Sequence, residues 1–119
     1  MAEDHRTEDV ELPPGALELL ALKVLARGAL HGYAIARAIQ DRGAERLRIE
    51  EGTLYPALHR MERRGWLAAE WGVSESNRRA KYYRLTAGGR SALREQESAW
   101  RRVSDAVARV LGHPSPKGA

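Results

Sequence analysis

The sequence predicts a mainly α-helical fold with one small β-hairpin and a long C-terminal helix. Three patterns carry that expectation. Apolar residues recur at helical spacing through 16–27, 31–43, 52–66 and 87–111. Two short runs, 66–71 and 80–85, alternate with period two about a polar tip. The length, 119 residues, suits a single domain with a modest core.

Residues 1–11 hold five acids and almost nothing apolar, so they are expected to form a flexible arm. Leu12-Pro13-Pro14-Gly15 then punctuates the start of a helix, where proline is tolerated. From Ala16 to about Arg27 the chain is apolar on nearly every side. Leu17, Leu20 and Val24 make one stripe, with Leu19, Leu22 and Leu25 beside it. In so short a chain the second face is expected to meet another subunit. Gly28 ends this helix, and His31 opens the next, whose inner stripe is Ile35 and Ile39 with Gly43 as its C-terminal stop. No second His, Asp or Glu stands at ligand spacing from His31, so it reads as a polar or phosphate contact and not as a metal ligand.

Leu47 and Ile49 in the connector alternate with charged residues and suggest a few extended positions. Thr53 is then a candidate cap for a helix over 52–66. Projected at about 100° per residue, Leu58, Met61 and Gly65 fall within about 40° of Leu54, whereas Pro56, His59, Arg60 and Arg63 lie on the far side. One face suits a core and the other an anion. Gly65 ends the helix, Leu67, Ala69 and Trp71 alternate with Trp66, Ala68 and Glu70, and a tip over 72–79 leads into the strand 80–85. Thr86 is a candidate N-cap for a helix over 87–111. Leu93, Trp100, Val103, Val107 and Leu111 make a stripe about 27 Å long, more than the small unit before it can cover. Burial against a second copy is the economical solution. Past Gly112, residues 112–119 give no reason for order.

The net charge is +4, and its distribution says more. Residues 1–51 carry seven bases and ten acids; residues 52–109 carry twelve bases and six acids. A polyanion would meet the second half. There is no cysteine, hence no disulfide framework or thiolate metal site. No apolar run approaches the roughly 20 residues of a membrane span. A cytoplasmic protein that does not engage membranes is the expectation, with no cofactor implied.

Three helices, a hairpin with a basic tip and a long helix form the order of a winged helix-turn-helix with a dimerisation helix. The expected units are the arm 1–11, the winged domain 12–86, the dimerisation helix 87–111 and the tail 112–119. A basic helix alone is more often a solvated surface than a nucleic-acid reader. Here the two most cationic stretches, 59–64 and 78–81, are the two elements that such a fold offers to double-stranded DNA.

The wording of the chain points the same way. Leu30-His31-Gly32-Tyr33-Ala34-Ile35, the run Glu51-Gly52-Thr53-Leu54-Tyr55-Pro56-Ala57-Leu58 through Trp66, and Arg79-Ala80-Lys81-Tyr82-Tyr83-Arg84-Leu85-Thr86 closely resemble the PadR-like transcriptional regulators. The resemblance covers about residues 15–111 and implies a homodimeric repressor of the short subfamily, with a single C-terminal dimerisation helix. It implies DNA contacts at Thr53, Tyr55, Pro56 and His59, with Arg60 and Arg63 on phosphates or bases. Tyr33 would touch phosphate or buttress the third helix, and Tyr55 would contact DNA or pack on the second helix. Arg78, Arg79 and Lys81 match the basic wing, although Glu75-Ser76-Asn77 replaces the usual glycine- and arginine-rich tip. Leu17, Leu20, Leu93, Trp100, Val103, Val107 and Leu111 are the expected dimer contacts. Trp100 is either interface core or a stacking surface for a flat small-molecule effector. The main rival is a winged module that binds protein instead of DNA. An enzyme is disfavoured, because no paired carboxylates, activated nucleophile, phosphate loop or metal cluster is present.

Overall fold

Helical and strand periodicities become seven elements in the computed structural model, which describes residues 11–113. They are α1 (Ala16–Leu25), β1 (Leu30–His31), α2 (Gly32–Arg42), α3 (Glu51–Arg63), β2 (Leu67–Val73), β3 (Arg79–Leu85) and α4 (Ala87–Leu111). The expected arm 1–11 and tail 112–119 lie outside the described residues, apart from Glu11, Gly112 and His113.

α1 runs through the middle of the winged unit, and this explains why it is apolar on nearly every side. Ala21, Leu22, Val24 and Leu25 are buried, and they meet Ile35 and Ile39 of α2, Leu54, Leu58 and Met61 of α3, and Tyr83 and Leu85 of β3. Leu17 and Leu20, expected at a dimer contact, are half-buried against this same core. Leu93 is a clearer correction. It is 8% exposed inside its own subunit's core, because the first turns of α4 pack on α1 before the helix leaves the body of the protein. Lys23 of α1 and Glu97 of α4 pair at 3.2 Å near the point of departure.

The sheet has three antiparallel strands in the order β1-β3-β2. Leu30 pairs with Tyr83 and His31 with Tyr82 on one side of β3, and the hairpin register runs from Leu67 opposite Leu85 to Val73 opposite Arg79. The two-residue β1 was not expected between the end of the first helix at Gly28 and the start of the next at His31. The hairpin strands also extend further into the tip than the alternation suggested, to Val73 and back to Arg79. Tyr82 and Tyr83 point to opposite faces, with Tyr83 in the core.

Helix ends follow local hydrogen bonding. α1 stops at Leu25, two residues short of the expected end. His31 caps α2: its Nδ1 accepts the Ala34 N–H at 3.2 Å, and its ring stands edge-on to Tyr82 with centroids 5.3 Å apart. Replacing His31 with alanine is expected to cost about 1 kcal/mol through the lost cap. A thermal melt reads that as a midpoint lower by about 4 °C. An unchanged midpoint would mean that the cap contributes nothing.

The turn after α2 places two non-glycine residues, Ala44 and Glu45, at φ of 57° and 60°. α3 then begins earlier than expected. Its cap is Glu50, whose backbone carbonyl accepts from Thr53 and Leu54, so Thr53 lies inside the first turn instead of capping it. Pro56 consequently falls in the second turn and leaves the Gly52 carbonyl without its intrahelical donor, yet the helix runs through unbroken. Thr86 does cap α4, accepting from Gly89 N–H at 3.0 Å while its hydroxyl donates to the Gly65 carbonyl at 2.6 Å. A side chain at Gly89 would strike the Trp66 backbone carbonyl, which accounts for a glycine in a helical first turn. These contacts anchor α4 to the end of α3.

Candidate nucleic-acid interface

α3 divides its surface into a buried face, two flanks and an outward crest. Leu54, Ala57, Leu58 and Met61 are buried. On the opposite side Gly52, Pro56, His59 and Arg63 are exposed, and neither His59 nor Arg63 has a side-chain partner among the described residues. The flanks are less free. Toward α1, Arg60 places Nε and Nη2 on Glu18 Oε2 at 3.3 and 3.2 Å, and Arg64 Nη1 lies 3.5 Å from Glu18 Oε1. Toward the hairpin, Glu62 accepts from Lys81 Nζ at 3.1 Å. Arg60 and Lys81 were both expected at the nucleic acid, but the structure gives each a carboxylate of its own subunit. Thr53 is exposed on the α1 side of the crest.

The Glu62–Lys81 pair links α3 to β3. That hydrogen bond to Glu62 is the main reason that the Lys81 ammonium is held above its ordinary pKa, and it outweighs the opposing effect of burial. The Lys81 ammonium also lies 5.5 Å from the centre of the Tyr83 ring, whose own hydroxyl is pushed up chiefly by burial.

Tyr55 occupies the wing-side flank. Its ring lies on the start of α2, so closely that a Cβ at Gly32 would sit 2.5 Å from Tyr55 Cε1. It nevertheless keeps 42% exposure. Burial, followed by the Glu51 charge, raises its hydroxyl above the usual tyrosine value. The two readings offered by the sequence are therefore compatible. One edge packs on Gly32, and the rest lines a groove of about 820 Å³ between the helices and the wing. Tyr33, 60% exposed, lines the same groove together with Trp71, Arg78 and Arg79.

The wing tip is a three-residue loop, Glu75-Ser76-Asn77. Ser74 N–H donates to the Arg78 carbonyl at 2.8 Å, Asn77 N–H to the Ser74 carbonyl at 2.9 Å, and Asn77 takes φ of 62°. Asparagine tolerates that left-handed position, so the loop closes without the glycine that such tips usually carry. Arg78 projects from the tip, and the Arg79 guanidinium lies 4.4 Å from the Trp71 ring centre.

Trp71, Glu18 and Glu62 are the participants that sequence reasoning missed. Trp71 is diagonal to Arg79 across the hairpin, which is legible only once the register is known. Glu18 did leave a trace: it is the single acid between Glu11 and Asp41, set in a helix whose only other charged residue is Lys23. Among the described residues no group of His, Cys, Asp or Glu is arranged to hold a metal ion, and no helix is long and apolar enough to cross a membrane.

At the far end of the molecule α4 leaves an apolar face uncovered. Trp100, Val103, Val107 and Leu111 are 49%, 57%, 49% and 61% exposed.

Residues 21–95 match the model of the PadR-like transcriptional regulator family. A transcriptional regulator of Mycobacterium tuberculosis is 37% identical over 106 residues, which span 88% of this chain and 92% of that protein. Among solved structures, a PadR family transcriptional regulator from Eggerthella lenta is similar with a TM-score of 0.70 and 40% identity over 82% of each chain. A PadR family regulator from Clostridium difficile gives a TM-score of 0.70 at 30% identity, over 82% of this chain and 99% of its own.

Proposed function

This chain belongs to the PadR-like family of transcriptional regulators, which are not enzymes, and on that premise we propose that it is a homodimeric repressor reading operator DNA through α3 and the wing. The observation that carries this reading is the crest of α3. A helix that buries four residues leaves Pro56, His59 and Arg63 outward, beside a groove lined by Tyr33, Tyr55, Arg78 and Arg79. A crest of this shape fits a major groove, with His59 and Arg63 toward base edges and phosphates and Thr53 at its margin. Arg78 and Arg79 suit the adjacent phosphates, with Trp71 supporting Arg79.

The uncovered stripe on α4 supports the dimeric part of the reading. An isologous contact would bury Trp100, Val103, Val107 and Leu111 against their own copies, and Trp100 is where a flat effector that releases the repressor would stack. A soluble, cytoplasmic protein accords with this role.

The test is a titration of the duplex upstream of the chain's own gene at rising salt. Arg63, Arg78 and Arg79 from two subunits give about six phosphate contacts, so affinity should fall about 10³-fold between 50 and 200 mM salt. Binding that ignores salt, or that is no tighter than on a mixed-sequence duplex, would sink the reading.

A further inference from the structure

Glu18 lies off both the crest and the wing-side groove, yet it holds two arginines of the reading helix and its end. Its side chain is only 15% exposed, and both oxygens are occupied: Oε2 by Nε and Nη2 of Arg60, Oε1 by Nη1 of Arg64. It stands in the first turn of α1, where the helix dipole favours a carboxylate. Arg64 is held a second time, its guanidinium lying 5.0 Å from the centre of the Trp66 ring.

From this arrangement we propose that Glu18 is a specificity-setting residue that holds Arg60 and Arg64 away from DNA phosphates. The inference rests on the DNA-binding reading given above. α3 and its end carry three arginines, at 60, 63 and 64. Free arginines attract any phosphate backbone, which strengthens binding to every sequence alike and lowers the ratio of operator to competitor affinity. With one carboxylate between them, Arg60 and Arg64 must break an existing pair before they gain a phosphate. Arg63 alone then meets DNA without that cost. Glu18 thus keeps sequence-independent attraction low, so that discrimination depends on the crest residues Pro56, His59 and Arg63. It acts through the arginines and does not itself touch DNA.

The experiment compares the full-length protein with Glu18→Gln, a variant of nearly the same shape, on a mixed-sequence 30-bp duplex and on the upstream duplex. Glu18→Gln should tighten mixed-sequence binding about tenfold at 100 mM salt and steepen the log–log salt slope by about 2 per dimer, one freed phosphate contact per subunit. The upstream duplex should gain less, so the specificity ratio falls. Adding Arg60→Gln to Glu18→Gln should reverse most of the gain, which a purely structural role for Glu18 does not predict. Weaker or unchanged mixed-sequence binding by Glu18→Gln, with wild-type binding intact and salt-dependent, overturns the inference and leaves the DNA-binding reading standing. Absence of salt-dependent binding by the wild type removes both. Should Glu18→Gln fold poorly, Arg60→Gln decides, since Glu18 is the carboxylate that holds Arg60: a wild-type salt slope supports the inference, and a slope shallower by about 2 overturns it.

Discussion

Replacing Arg63 with alanine is expected to weaken operator binding by about 1–3 kcal/mol per contact while leaving the fold intact. The two halves of that expectation come from the same geometry. Arg63 is the last residue of the α3 crest, exposed on the side opposite Leu54, Leu58 and Met61. Its guanidinium has no side-chain partner among the described residues, and its removal therefore leaves no internal charge unpaired. Exposed substitutions of that kind change stability by less than about 0.5 kcal/mol. Fluorescence anisotropy on the upstream and mixed-sequence duplexes, with a thermal melt beside it, checks both halves. A larger loss on the upstream duplex means that Arg63 reads a base edge; an equal loss, with a slope shallower by about 1 per contact, means that it holds a phosphate. Unchanged affinity on both would remove α3 from the interface.

What the sequence made legible depended on the range of the interaction. Leu54, Leu58 and Met61 share a face because of helical pitch alone, and pitch is local. Thr86 as a cap and the polar hairpin tip are local in the same way. β1 has only two residues, too few to alternate, and its partners Tyr82 and Tyr83 lie about fifty positions away. The fates of the cations on α3 were equally hidden. Arg60, Arg63 and Arg64 are the same residue type within five positions, and only folding brings Glu18 within 3.5 Å of two of them across 42 and 46 positions of sequence. Lys81 finds Glu62 over 19 positions. The α4 stripe shows a third kind of gap. Periodicity identified the face that holds Leu93 and Trp100, but it could not say where along that face the subunit's own core stops. The structure shows that it stops between them, with Leu93 inside and Trp100 out.

That division makes Val107→Asp the most disruptive change outside the core. Val107 stands 49% exposed between Val103 and Leu111, beyond the part of α4 that packs on α1. In the separate subunit an aspartate there faces water and disturbs nothing. In an isologous dimer the same position occurs twice across one apolar seam, so two carboxylates would be desolvated together without a partner. A few kcal/mol in all is a large part of what about 16 Å of paired helix, from Trp100 to Leu111, can supply. The dissociation constant of the dimer is expected to rise about 10³-fold or more, for a combined cost of about 4 kcal/mol. Light scattering at micromolar concentration should then fall from twice the chain mass of 13.3 kDa to a single chain. DNA binding should fall with it, because two linked half-site contacts gain about 10²–10⁴ in avidity over one. The winged domain should still unfold cooperatively, since Leu22, Leu25, Ile35, Leu54, Leu58 and Met61 are untouched. A Val107→Asp protein that stays dimeric would place the subunit contact elsewhere, and a wild-type monomer would abolish it.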